Sequence, residues 1–160
     1  MSLFFRIATL DDLDEIQSFE KNRLVELVPD PMEREIQSWQ AKWRTESLQQ
    51  HLPLGWSFIA RETDKPSTFS SEGLLVGYFI AQPLLFFDGQ TQSLWIEHLS
   101  YSSLQARDQL CDLGYRLARE KHFQRAYFPQ INQIQNAVSH MKPEPWSSTS
   151  FFVKTSKANR

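Results

Sequence analysis

Short apolar runs of strand length alternate along the chain with stretches whose apolar residues recur every three or four positions. Phe4–Ala8 is the first such run and predicts a strand. Thr9 follows as a helix cap, with Asp12 three residues on as its capping-box partner. Leu13, Ile16, Phe19, Leu24 and Leu27 then repeat at helical spacing until Pro29. Asp30 and Pro31 start a second helix as cap and first-turn proline. Met32, Ile36, Trp39 and Trp43 give that helix an aromatic face that must bury, and the helix ends before Pro53. Trp56–Glu62 reads as a strand, and residues 64–73 as a polar loop rich in turn residues. Leu74–Ala81 is nearly all apolar, as a central strand covered on both faces would be. The run extends to Phe87, and Asp88-Gly89 signals a hairpin to a partner strand at Ser93–Tyr101. Helical spacing resumes at Leu110, Leu113, Gly114, Leu117 and Ala118, with an Asp112–Arg116 pair on the outer side. Arg125–Pro129 predicts a strand, Asn132–Met141 a helix and Ser150–Thr155 a last strand.

The pattern predicts a mixed α/β (α+β) fold, with a central, mostly antiparallel twisted sheet flanked by helices, in the order β-α-α-β-β-β-α-β-α-β. With 160 residues, 41% of them hydrophobic and 13% aromatic, the chain supports one core. We expect one domain over residues 1–155 and a disordered tail at 156–160. The net charge of −2 supplies no electrostatic case for nucleic acid or an anionic membrane. No apolar run approaches the roughly 20 residues that span a bilayer. The N-terminus shows no secretory pattern, and Cys111, the one cysteine, has no disulfide partner, so a cytoplasmic protein is expected. The four histidines show no metal-ligand spacing, and we expect no metal site.

The element order, with the opening FFRIATLDDLDEI, resembles the GNAT superfamily of acyl-CoA-dependent acyltransferases from about Phe4 to Thr155. The resemblance implies that the strand LWIEHLSY parts from the strand RAYFP and that acetyl-CoA, as co-substrate, lies in the opening. It also implies a Q/R-x-x-G-x-G/A loop at a helix start, where glycines bring backbone amides to the pyrophosphate. Here Arg107 matches the arginine, but Leu110 and Asp112 stand at both glycine positions. A loop shifted to Ser102–Ala106 would still present amides. An N-x-x-A-x-x-x-Y pattern on the later helix carries the family's tyrosine acid. Aligned on Ala137, this chain has Ile134 and Met141 at the polar positions.

Glu97 is the candidate catalytic base, because a carboxylate on that strand would take a proton from an attacking amine. Alternation places it with Trp95, Leu99 and Tyr101, in surroundings expected to raise its pKa; the alternative is a carboxylate paired with arginine or facing solvent. His98, on the other face, reads as a hydrogen-bonded structural residue. Leu99, Tyr101 and Ser102 are candidates for backbone contact with the cofactor, against an ordinary strand end. Arg107 would hold phosphate or neutralise Asp108 and Asp112. Cys111 reads as a buried hydrophobe rather than a nucleophile. Trp39 and Trp43 either pack in the core or line an acceptor site. The resulting expectation is an N-acyltransferase acting on a small-molecule or peptide amine. The alternative is a GNAT-like binding module without catalysis. Self-association into a homodimer is left open.

Overall fold

The opening run forms β1 (Ser2–Ile7), two residues ahead of its expected start. The computed structural model describes residues 2–63, 73–86, 89, 91–146 and 150–156. Residues 64–72 of the polar loop, Phe87, Asp88 of the hairpin turn and residues 157–160 of the tail lie outside them. The Thr9/Asp12 box is present: Asp12 Oδ2 accepts from the Thr9 amide at 2.8 Å, and Thr9 Oγ1 accepts from the Asp11 amide at 3.3 Å. It caps a single 3-10 turn that runs into α1 (Leu13–Leu27).

The second helix is broken in two. Asp30 accepts from the Met32 amide at 3.1 Å and starts α2 (Pro31–Trp39), but the chain leaves the helix over residues 40–44 and re-enters it as α3 (Thr45–His51). Spacing along one continuous helix put Met32, Ile36, Trp39 and Trp43 on one buried face. In the structure Trp43 is 8% exposed and Trp39 67%, with Met32 and Ile36 also open to solvent. The break lets Trp43 turn inward alone. Leu27, the last residue of the apolar repeat along α1, is likewise open to solvent.

The strands β2 (Phe58–Thr63), β3 (Leu74–Leu85), β4 (Gln92–Tyr101), β5 (Arg125–Pro129), β6 (Glu144–Pro145) and β7 (Ser150–Lys154) complete a sheet in the order β1-β2-β3-β4-β5-β7-β6. As expected, β3 is central and pairs antiparallel with β4, from Leu85↔Gln92 to Gly77↔Tyr101. Gly89, in the connection between them, has φ +74°. Among the described residues, only the β4–β5 pair is parallel. The two-residue β6 was not anticipated; it pairs with Phe151 and Phe152 of β7.

The helices α4 (Leu104–Glu120) and α5 (Asn132–Ala137) cover one face of the sheet. Their core includes Leu94, Ile96, Leu99, Leu110 and Phe128; α1 and α3 cover the other face over Ile59, Tyr78 and Ile80. The helix α4 lies tight on the strands at two glycines. A Cβ on Gly77 would stand 2.9 Å from Leu110 Cδ1 and 3.0 Å from Ser100 O, and one on Gly114 would stand 2.7 Å from Ile96 Cδ1.

Candidate active site

Two irregularities of β4 define the site. The first is a parting of strands: β5 pairs with β4 only from Ser93↔Arg125 to Trp95↔Tyr127, then continues along β7 to Pro129↔Ser150. Beyond Trp95, the β5-facing edge of β4 has no strand partner among the described residues. Ser102 N donates to Val76 O at 2.8 Å, so alternation along an antiparallel pair turns the Leu99 and Tyr101 amides toward that open edge. The Leu99 side chain itself is buried under α4.

The second irregularity is a bulge. His98 pairs with Ile80 and Ile96 with Ala81, which leaves Glu97 as an extra residue. The bulge interrupts the two-residue alternation, so Glu97 does not share a face with Leu99 as simple periodicity required. Ile96 and Leu99 face α4, whereas Glu97 and His98 both reach toward α1 and α3.

Glu97, 12% exposed, meets two cations there: its Oε2 lies 2.8 Å from His51 Nε2 on α3, and its Oε1 accepts from Lys42 Nζ at 3.2 Å. His51 is 6% exposed, and its Nδ1 donates to Ser47 O at 2.9 Å. A carbonyl can only accept, so Nδ1 carries a proton; Nε2 against a carboxylate then favours the imidazolium. The Nε2–Oε2 approach is close but out of line for a hydrogen bond, which makes it an ion contact. His51, followed by Lys42, holds the Glu97 pKa below the ordinary carboxylate value, and Glu97 raises that of His51. The expected upward shift at Glu97 is therefore reversed. The direct contact with His51, with the charges of His51 and Lys42 behind it, outweighs burial.

A second carboxylate meets the next residue of the strand, His98. Glu20 of α1 is buried and accepts from Tyr78 Oη at 2.6 Å, with His98 Nε2 at 3.1 Å. Burial would raise its pKa, but His98, Tyr78 and Ser100 outweigh that and lower it. His98 is thus held structurally, as expected.

The end of β4 meets the start of α4 beside a cavity of about 290 Å³, lined by Arg23, Glu26, Leu27, Tyr101, Ser102, Ser103 and Leu104. The helix starts earlier than its apolar spacing predicted. Ser103 is the cap, and its Oγ accepts from the Ala106 amide at 3.1 Å. Residues 107–112 therefore form helix rather than a phosphate loop. Leu110 is buried against the sheet, so it cannot obstruct an anion, and Asp112 pairs with Arg116 at 2.8 Å on the outer side. Neither Asp108 nor Asp112 is in the first turn. Arg107 Nη2 lies 2.8 Å from Asp108 Oδ1. The Arg107 and Arg23 guanidinium groups lie 6.0 and 5.5 Å from the Tyr101 ring centroid. Arg23 Nη1 is buried with no hydrogen-bond partner among the described residues. Ile134 is fully buried, Met141 packs at the core edge, and burial pushes the Cys111 thiol up to about 12. None of these three has a polar role.

His51, Lys42, Glu20 and Arg23 were not legible as site residues in the sequence, since three come from helices and Lys42 from the break between α2 and α3, all distant in sequence from β4. A signal existed only for the helix start, where Ser102-Ser103 precedes an amphipathic run.

No protein-family model matches the chain, and no curated protein sequence does. Solved structures do. An acetyltransferase of the GNAT family from Listeria monocytogenes superposes with a TM-score of 0.64 at 13% identity, covering 95% of this chain and 94% of that one. A mosquito arylalkylamine N-acetyltransferase-like protein gives 0.64 at 12% identity, covering 96% and 100%. The Drosophila melanogaster polyamine N-acetyltransferase gives 0.59 at 10% identity, covering 96% and 98%. Near-complete coverage in both directions means that the likeness spans the chain and is not confined to one motif. The chain therefore has the fold of the GNAT acetyltransferase superfamily.

Proposed function

We propose that this chain is an acyl-CoA-dependent N-acyltransferase that transfers an acetyl group to a small amine by direct attack. The observation that carries the proposal is the bulge at Glu97, which turns a carboxylate toward α3 just where β4 loses its β5 partner. The fold's solved neighbours include a polyamine N-acetyltransferase and an arylalkylamine N-acetyltransferase-like protein, which supports an amine acceptor.

In this reading the Leu99 and Tyr101 amides accept the pantetheine chain along the open edge and polarise the thioester carbonyl. Ser102, Arg107 and Arg23 surround the pyrophosphate beside the first turn of α4. Arg23 Nη1 is a buried donor whose need for a partner a phosphate oxygen would satisfy. Glu97, ionised by His51 and Lys42, draws the acceptor ammonium. The ammonium gives up a proton to the Glu97–His51 pair once His51 has lost its own, and the free amine attacks the carbonyl. The C–S bond then breaks, the nitrogen loses its second proton, and the thiolate leaves to be protonated from solvent.

A binding module without catalysis is the second reading. What favours it is the start of α4, where Ser103 already satisfies the Ala106 amide and Asp108 already engages Arg107. The two readings separate in a thiol-release assay with acetyl-CoA and a panel of arylalkylamines and polyamines. Amine-dependent release that collapses in Glu97→Gln supports the enzyme. A folded protein that releases no thiol with any amine supports the module.

A further inference from the structure

The carboxylate proposed to draw the acceptor already holds an amine of the chain itself. Lys42 lies in the break between α2 and α3, where Trp43 is buried and Gln17 Nε2 donates to Trp43 O at 3.4 Å from α1. That anchor fixes the backbone on one side of Lys42. The lysine side chain is half-exposed, at 52%, yet its Nζ reaches inward to Glu97 Oε1 at 3.2 Å. An exposed lysine loses side-chain freedom in holding such a contact, and exposed pairs recover little of that loss. Here the partner is largely buried and already faces His51, so the contact sets a second cation against a carboxylate that has one.

We propose that Lys42 is a site of self-acetylation, with the chain's own amine serving as acceptor beside Glu97. The inference rests on the acyltransferase reading above. Once His51 has lost its own proton, the Lys42 ammonium gives one proton to the Glu97–His51 pair, and Nζ attacks the carbonyl of an acyl-CoA thioester. A C–N amide bond forms and the C–S bond breaks. The second proton is lost to solvent, and the CoA thiolate is protonated to the thiol. One ammonium and one thioester thus yield one amide, one thiol and one proton. The product is neutral, so it frees Glu97 Oε1 for an incoming acceptor ammonium.

The test is peptide mass spectrometry of the folded protein after incubation with acetyl-CoA, with calorimetric titration of the same samples. Lys42 should be acetylated about tenfold faster than Lys121, an exposed lysine just past the end of α4, since proximity raises the local amine concentration. Glu97→Gln should bring the Lys42 rate down to that of Lys121, and Lys42→Arg should remove the modification. A charge readout is independent of turnover. The Lys42 charge lowers the His51 pKa, so Lys42→Gln should shift the His51 imidazole titration upward in NMR. Equal rates at Lys42 and Lys121 in a protein that binds acetyl-CoA and acetylates amines would overturn this inference alone. Failure to bind acetyl-CoA would overturn it together with the acyltransferase reading. An unmoved His51 titration in Lys42→Gln would show that Lys42 does not occupy the carboxylate, and would also overturn it.

Discussion

Glu97 and His51 shift each other's titration in opposite directions, and the consequence for stability has a definite sign. The folded His51 pKa is raised, so its contribution is fully present below the ordinary histidine value and is lost as pH rises through the raised one. The Glu97 pKa is lowered, so its contribution is present above the ordinary carboxylate value and is lost as pH falls through the lowered one. The pair thus stabilises most between the two ordinary values, from about pH 4.5 to 6.5. NMR titration should find His51 above its ordinary value in the wild type and lower in Glu97→Gln. Kinetically, Glu97→Gln should cut kcat by about 100-fold or more while acetyl-CoA affinity barely changes. An active enzyme indifferent to that change would remove Glu97 from the mechanism. The residue type and strand of Glu97 were legible in the sequence. Its face was not, because a bulge is set by how β4 registers on β3. Nor were its partners, since His51 and Lys42 are brought to it only by the packing of α3 on the sheet.

The helix α4 carries the sharpest difference between spacing and structure. Its apolar repeat was readable from Leu110 onward, but its start depends on one serine side chain capping one amide, a weaker signal than periodicity. The earlier start separates two aspartates that looked equivalent in the sequence. Asp108 engages Arg107, whereas Asp112 is bound to Arg116 on the outer side. Asp108→Ala should therefore tighten acetyl-CoA about three- to fivefold, the scale of an exposed ion pair, and the gain should shrink with added salt. Asp112→Ala should leave affinity unchanged, and equal effects of the two would contradict this placement of the helix. The contact of α4 with β3 is tested at Gly77. An added methyl meets Leu110 at 2.9 Å and the Ser100 carbonyl at 3.0 Å, and backbone cannot step aside as a side chain can. Gly77→Ala should cost about 1–3 kcal/mol, visible as a lower Tm. The break between α2 and α3 left no mark in the apolar spacing, because Trp39 and Trp43 fit a continuous helix equally well.

Across the whole molecule, the strand succession was the most legible feature. The long apolar run at Leu74–Ala81 and the Asp88-Gly89 turn signal before Ser93–Tyr101 predict a central antiparallel pair, and the structure has that pair. The parting of β4 from β5 was expected only through family resemblance, since strand spacing carries no information about where a parallel pair ends. The pairing shows the parting directly, with register lost after Trp95↔Tyr127. Whether that opening takes acyl-CoA decides between the enzyme and the binding module. Calorimetric titration of the folded protein with acetyl-CoA addresses this most directly. Binding is expected at one site per chain with a micromolar Kd, weakened by Arg23→Ala and by added salt, since the pyrophosphate meets cationic groups at the end of β4. No heat of binding from a well-folded protein, in the wild type and in Asp108→Ala alike, would contradict it.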